Sequence, residues 1–162
     1  MILKIIIIFV LIVVIAIIAN GIEDRKSNKV AISFRESLDL CGLPVVTFRQ
    51  GRSKLNFILD TGSNVSVIDE AIVKRLKVRE TDRKTNITGI GGTASELSVV
   101  DIDFKYKDVV LTDSFQVTDM SATLSAIKAT TGVTAHGLIG NEFMQKYESI
   151  LDFENMVALI KK

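Results

Sequence analysis

Fifteen consecutive apolar residues, IIIIFVLIVVIAIIA at positions 5–19, separate the start of this chain from everything that follows. A span of about 20 predominantly apolar residues crosses the hydrocarbon core of a bilayer. Residues 2–19 are long enough if Lys4 extends its amine toward the headgroups. The sequence therefore predicts an uncleaved transmembrane signal anchor over residues 1–19. The alternative is a cleaved signal peptide, but Ile17 is bulky where cleavage after Ala19 requires a small side chain.

The next ten residues, NGIEDRKSNK at 20–29, are polar and predict a short tether. The larger number of basic residues after the apolar run than before it slightly favours a cytosolic domain. The very short N-terminal tail, and the acids Glu23 and Asp24 beside those basic residues, favour the opposite orientation. We expect a single-pass membrane protein whose domain lies on the extracytoplasmic side.

Residues 30–162 are numerous enough to form one domain with its own hydrophobic core. The net charge is +1 and no basic block is present, so nothing in the sequence indicates nucleic-acid binding. Cys41 is the single cysteine and cannot form an intramolecular disulfide, so we expect a small buried apolar residue there. His136 is the only histidine and no ligand cluster surrounds it in the sequence, so we expect no metal site.

Short strands dominate the pattern of this domain. Residues 43–49 (LPVVTFR) and 54–59 (KLNFIL) are separated by a loop with glycine, which predicts a hairpin. Further strands are predicted over residues 65–68, 97–104 and 109–117, with a terminal hairpin of 150–153 and 156–160. Asp101 and Asp103 alternate with apolar residues, as expected on the solvent-exposed face of a strand.

Helical signals in the domain are few and short. Asp69 is placed to cap one helix, Asn141 is placed to cap another, and residues 124–128 are compatible with a helical turn. The sequence therefore predicts an all-β domain, a small barrel or sandwich with one or two short helices.

One carboxylate stands where a predicted strand ends, in FILDTGSNVSVID at residues 57–69. The tripeptide Asp60-Thr61-Gly62 alone is a weak signal, because any turn can contain it. Here it lies between two apolar strands, and Leu138-Ile139-Gly140 later opens a short helix. In this order the sequence resembles the retropepsin-like aspartic proteases, the single-domain aspartyl peptidases of retroviral-protease type. FILDTGSNVSVI and HGLIGNEFM anchor the resemblance, the closing LDFENMVALI agrees with it, and it covers roughly residues 43–160.

The resemblance implies a small closed β-barrel in which Asp60 is the catalytic aspartate. It also implies residues that support the active-site loop: Thr61, Gly62 and Ser63 within the loop, and Leu138, Ile139 and Gly140 behind it. Residues 85–97 correspond to the flap that closes over substrate, with Gly89, Ile90, Gly91 and Gly92 at its tip. No Gly-Lys-Ser/Thr follows these glycines, so a phosphate-binding loop is not indicated.

Carboxylate chemistry explains why one such aspartate is insufficient. Hydrolysis of a peptide without a metal or covalent nucleophile needs a base that activates water and an acid that protonates the product. Two carboxyls about 3 Å apart share one proton and supply both functions without a cofactor. Neither Asp113 nor Asp119 begins a second Asp-Thr/Ser-Gly, so the partner aspartate must come from another chain. The sequence predicts a two-fold homodimer acting on peptides, whose assembly a shared membrane favours.

Three alternatives accompany this interpretation. Asp60 is compatible with an ordinary solvated turn, although the surrounding motif order favours catalysis. A catalytically silent β-domain that binds peptides or proteins at the membrane is the second alternative, yet both Asp60 and Gly62 of the motif are intact. The third is a protease whose partner is a different chain, which the sequence does not separate from homodimerisation.

Overall fold

The computed structural model describes residues 7, 10–18, 28–88 and 94–162. Residues 10–18 form a helical segment (α1) whose large apolar side chains are exposed, from 40% for Val13 to 65% for Ile17. No helix among the described residues is both long and apolar enough to cross a membrane. Much of the predicted anchor and residues 20–27 of the predicted tether lie outside the described residues.

The described domain consists of ten strands and four further helices. The strands are β1 (Lys29–Ser33), β2 (Val45–Gln50), β3 (Ser53–Leu59), β4 (Ser66–Asp69), β5 (Val78–Thr88), β6 (Ala94–Tyr106), β7 (Val109–Thr118), β8 (Gly137–Ile139), β9 (Ile150–Asp152) and β10 (Val157–Lys161). The helices are α2 (Arg35–Cys41), α3 (Glu70–Val73), α4 (Ser121–Thr131) and α5 (Asn141–Lys146).

Six strands close into a small barrel in the order β2-β3-β8-β4-β7-β6, and β6 returns to β2 through the pair Arg49 and Lys105. Strand β5 pairs with β6 outside this ring. Closure removes the exposed edges that a small open sheet would present. The predicted all-β class and the closed barrel are confirmed.

Aromatic side chains fill the barrel interior. Phe48, Phe57, Phe104, Phe115 and Phe143 are each at most 2% exposed and contact one another at ring-centroid distances of 4.7–6.3 Å. Four of these residues lie on strands, where successive side chains point to opposite faces, and Phe143 is contributed by α5. Burial of each such side chain stabilises the fold by about 1.5–3 kcal/mol.

A second, three-stranded sheet joins the two ends of the domain in the order β1-β10-β9. The terminal hairpin of β9 and β10 was predicted, and the structure confirms it. Strand β1 was not predicted, although Val30 and Ile32 alternate with exposed residues and are both buried. It begins at Lys29, which sequence analysis had placed in the tether.

The helices differ from expectation in three respects. Helix α2 was not predicted. It lies at the surface with no fully buried residue, so Cys41 at its end is half-buried and not buried as expected. Helix α4 covers eleven residues instead of a single turn. Helix α5 is preceded by Gly140 as its cap, not by Asn141. The predicted cap of α3 is confirmed, since Asp69 accepts a hydrogen bond from the Ala71 N–H at 3.0 Å.

Candidate active site

Strand β8 positions the loop that contains the candidate catalytic aspartate. The loop, residues 60–65, connects β3 to β4. Strand β8 lies between these two strands, parallel to β3 and antiparallel to β4, with Leu59 opposite Ile139 and Val67 opposite Leu138. The predicted supporting segment Leu138-Ile139-Gly140 therefore lies directly behind the loop.

Backbone hydrogen bonds fix Asp60 at the start of the loop. Its N–H donates to the Ile139 carbonyl at 3.0 Å, and its own carbonyl accepts from the Ser63 N–H at 3.2 Å. The side chain is half-buried, and Oδ1 accepts from the Gly62 N–H at 2.9 Å. In the described part of the chain this is the one donor to the carboxylate, and none is directed at Oδ2.

The start of helix α5 is hydrogen-bonded to the same loop. The N–H groups of Asn141 and Glu142 donate to the carbonyls of Ser63 and Asn64 at 2.8 and 2.9 Å. These are early amides of a helix, which have no acceptor within the helix itself. The Asn141 side chain also donates through Nδ2 to the Thr61 carbonyl at 2.8 Å. The loop therefore supplies acceptors to the helix, and the helix holds the loop in position.

Glycine is required where the loop and β8 approach most closely. A Cβ built on Gly140 would lie 2.3 Å from the Val65 carbonyl oxygen and 2.9 Å from the Ser63 carbonyl oxygen. A Cβ on Gly137 would lie 2.2 Å from the Val67 carbonyl oxygen. Real side chains do not tolerate such distances to backbone atoms, so both glycines are steric requirements.

A buried polar network of Ser66 and Asp113 connects β4 and β7 to Gly140 behind the loop. Ser66 Oγ accepts from the Gly140 N–H at 3.2 Å, and its hydroxyl donates to the carboxyl of Asp113. Asp113 is 6% exposed, and its Oδ2 is buried with no hydrogen-bond partner in the described part of the chain. Burial raises the pKa of Asp113 above its ordinary value, while the hydrogen bond from Ser66 acts in the opposite direction.

His136 directly precedes β8 and attaches the start of that strand to β3. The imidazole Nδ1 accepts from the Asn56 backbone N–H at 2.9 Å, and the backbone N–H of His136 donates to the Asn56 carbonyl at 2.8 Å. An Nδ1 that accepts a hydrogen bond carries no proton. Burial lowers the pKa of His136, Asp69 opposes this shift and Arg75 adds to it. His136 is therefore a structural neutral imidazole.

The remaining predicted loop residues occupy different environments. Ser63 donates from Oγ to the Val65 carbonyl at 2.7 Å and so stabilises the turn. Thr61 is exposed, and its hydroxyl has no hydrogen-bond partner within the described part of the chain. No three His, Cys, Asp or Glu side chains among the described residues converge as metal ligands would.

The predicted flap corresponds to the end of a long hairpin of β5 and β6. The two strands are paired in antiparallel register as far as Thr88 and Ala94. The predicted tip residues Gly89, Ile90, Gly91 and Gly92 lie outside the described residues.

Three supporting residues were missed in the sequence. Asn141 was assigned to a helix cap, and neither Ser66 nor Asp113 was assigned a role. A signal was present for Asp113, because it shares the inward face of β7 with Leu111 and Phe115. An acid at a core position of an alternating strand indicates a buried partner.

Comparison with known proteins assigns this chain to a family. No curated protein gives a significant match to the sequence. Among solved structures, the chain is similar to the EIAV protease, in a structure titled as its complex with the inhibitor HBY-793, at 24% identity and a TM-score of 0.48. That match covers 68% of this chain and 93% of the EIAV protease chain. The family described as aspartyl protease matches residues 45–143, well over half of the 162 residues, so this chain belongs to the aspartyl protease family.

Proposed function

We propose that this protein is a membrane-tethered aspartic endopeptidase that hydrolyses peptide bonds as a homodimer, with Asp60 from each chain. The observation that carries the proposal is the geometry of Asp60. Its backbone is fixed to β8 and its Oδ1 is fixed by Gly62, while Oδ2 has no donor in the described part of the chain. A carboxylate held in this way supports a role in which Oδ2 acts on a group outside the chain.

Two such carboxylates brought together by a two-fold axis form a complete acid–base pair. Each Asp60 presents one oxygen to the axis, and the pair shares one proton because two adjacent carboxylates do not both ionise. The ionised member takes a proton from water as the water attacks the peptide carbonyl. The protonated member then delivers its proton to the departing amine, and the pair returns to its starting state.

Partnership between two copies is supported by the single motif and by Thr61. The sequence contains one Asp-Thr/Ser-Gly, so a monomer supplies half of the pair. Thr61 follows Asp60 directly and exposes a hydroxyl with no partner in the described part of its own chain. We assign this hydroxyl to hydrogen bonds across the dimer axis. We assign residues 85–97 to a flap over the bound peptide, because β5 and β6 extend as a hairpin beyond the closed barrel.

The membrane tether is proposed from the N-terminal sequence. Residues 5–19 are uninterrupted apolar residues, and the described part of that run, residues 7 and 10–18, is helical with its large side chains exposed. Exposure of this much apolar surface is unfavourable in water and favourable in lipid. We further propose that the protease domain lies on the extracytoplasmic side.

Peptide cleavage by the full chain in detergent micelles tests the enzymatic proposal. A diverse peptide pool is incubated across acidic to neutral pH with wild type, Asp60→Asn and Asp119→Asn. Asp119 is a matched control because its Oδ1 also accepts the N–H two residues further on, from Ser121 at 2.9 Å. We expect cleavage by wild type and Asp119→Asn and none by Asp60→Asn.

Two outcomes contradict the proposal in different ways. Intact peptides with a dimeric wild-type sample would leave a peptide-binding module as the function, which binding of the same pool would then show. Cleavage that persists in Asp60→Asn would remove Asp60 from the mechanism while leaving a hydrolase.

A further inference from the structure

A row of basic side chains crosses three neighbouring strands at one end of the barrel. Arg49 of β2 is paired with Lys54 of β3 on one side and with Lys105 of β6 on the other. All three side chains are exposed, and none forms an ion pair with a described residue. Like charges directly opposite each other on adjacent strands repel. This arrangement therefore costs stability unless an anionic partner neutralises it.

The row continues into a larger basic face. Lys105 is paired with Val110 of β7, whose side chain is 56% exposed. Two shallow grooves meet at Val110. Lys77 and Arg79 line the first groove, and Lys29, Lys107 and Lys162 line the second.

The charge of this face is far from that of the whole molecule. It contains eight basic side chains and two acidic ones, Asp103 and Asp108, whereas the whole chain has a net charge of +1. Asp103 is already paired with Arg79 and so neutralises none of the other cations. A surface with this concentrated positive potential and an exposed apolar side chain at its centre favours an extended anionic partner.

The position of the N-terminal segment identifies which anionic partner is close. Lys29 lies on the basic face and is also the first residue of β1. Only nine residues separate residue 28 from the end of the apolar helical segment at residue 18. Even a fully extended chain of that length spans at most about 35 Å. An apolar segment inserted in a bilayer therefore keeps the basic face near the headgroups.

We propose that the basic face docks on anionic phospholipid headgroups of the membrane that the N-terminal segment anchors, an inference that rests on the tether proposed above. Phosphate groups neutralise the row of Lys54, Arg49 and Lys105, and Val110 inserts at the headgroup level. Each lysine near an anionic bilayer favours the docked state by roughly fivefold.

Docking determines where the active site stands relative to the membrane. Lys54 is near the start of β3 and Asp60 directly follows its end. Five residues of extended strand, 55–59, separate them, so the two Cα atoms are at most roughly 20 Å apart. Docking therefore places the Asp60 loop within about 20 Å of the basic row and of the headgroups that bind it.

Hydrogen exchange on the reconstituted full chain tests the docking. The chain is placed in vesicles of phosphatidylcholine alone and in vesicles that also contain phosphatidylglycerol. We expect the amides of residues 49–54 and 105–110 to be protected only in the anionic vesicles, and the protection to weaken as salt is added. The amides of α4 serve as an internal control.

Charge reversal provides a matched pair of variants. Lys54→Glu with Lys105→Glu removes two cations of the row, relieves repulsion with Arg49, and should lower the equilibrium constant for docking by at least about 25-fold. Lys74→Glu with Lys128→Glu makes the same charge change just after α3 and on α4 and should leave the protection unchanged. Thermal unfolding checks that both pairs remain folded.

The outcomes separate the docking from the tether. Protection that is equal in both vesicle types, or absent in both, overturns the docking and leaves an acidic protein as the partner that fits the charge. Failure of the chain to float with phosphatidylcholine vesicles overturns the tether instead. In that case flotation with phosphatidylglycerol vesicles alone, abolished by the Lys54 and Lys105 reversals, still supports the docking.

Discussion

The N–H of Asp60 donates a hydrogen bond to the carbonyl of Ile139 at 3.0 Å, which ties the candidate catalytic residue to strand β8. The two residues belong to distant parts of the sequence, and the parallel pairing of β3 with β8 brings them together. The position of the Asp60 carboxylate therefore depends on how closely the loop approaches the end of β8.

Substitution of Gly140 by Ala tests that close approach. The new Cβ would lie 2.3 Å from the Val65 carbonyl oxygen, so the loop or β8 must move. We expect the free energy of unfolding to fall by about 3 kcal/mol, as measured by denaturation of the full chain in detergent.

Gly62→Ala is the control for this substitution. Its Cβ meets only the Asp60 Oδ1 atom, at 3.1 Å, and a side chain moves more easily than a backbone. We expect a loss of less than about 1 kcal/mol in stability, together with lower peptidase activity because the carboxylate is displaced. Equal losses of stability in the two variants would contradict the steric account.

Asp113→Asn tests the buried carboxyl on β7 that is hydrogen-bonded to Ser66. The folded pKa of Asp113 lies above its value in the unfolded chain, so its contribution to stability is present at low pH. That contribution is lost as the pH rises above about 4 and through the folded pKa, because the unfolded chain releases the proton first.

The measurement is the melting temperature of wild type and Asp113→Asn across this range. Relative to the variant, the wild type should be more stable at acidic pH than at neutral pH. Asp39→Asn, which changes an exposed carboxylate on α2, is the control for the substitution itself. A wild-type advantage that grows with rising pH would reverse the sign and reject the argument.

His136→Asn tests the imidazole that joins β8 to β3. The folded pKa of His136 is lowered, so its contribution is fully present above about pH 6.5 and is lost as the pH falls through the folded pKa. Protonation also removes the acceptor for the Asn56 N–H, whereas the Oδ1 of an asparagine retains one.

Chemical denaturation at pH 7 and at pH 5 measures this effect. Wild type should lose more stability than His136→Asn between the two pH values. The same loss in both proteins would show that the pKa of His136 does not change on unfolding and would contradict the argument.

Local patterns predicted most of the barrel strands, because alternation and glycine turns are recorded in adjacent residues. The hairpin of β2 and β3, strand β4 and the terminal hairpin are confirmed. Strand β1 was missed, since its pairing with β10 joins opposite ends of the domain and leaves no local turn signal.

The site was predictable only to the extent that its motif is local. Asp60, Thr61 and Gly62 are contiguous, and their order with Leu138-Ile139-Gly140 suggested the loop and its support. The contact of Asn141 with Thr61 and the network of Ser66 with Asp113 depend on tertiary approach. The basic row was equally hidden, because its three members come from three strands.

Subunit mixing tests the central claim, that each active site requires Asp60 from two chains. Wild type and Asp60→Asn are mixed at equal amounts in detergent, allowed to exchange subunits, and assayed for peptide cleavage at constant total protein. Asn retains the acceptor for the Gly62 N–H, so the variant should fold and dimerise. The control is the same mixture with Asp119→Asn.

A shared site predicts that equal mixing leaves about one quarter of the wild-type activity, because only dimers of two wild-type chains are active. The mixture with Asp119→Asn should retain full activity. An activity of about one half in the mixture with Asp60→Asn would show that each chain acts alone, and it would contradict the account.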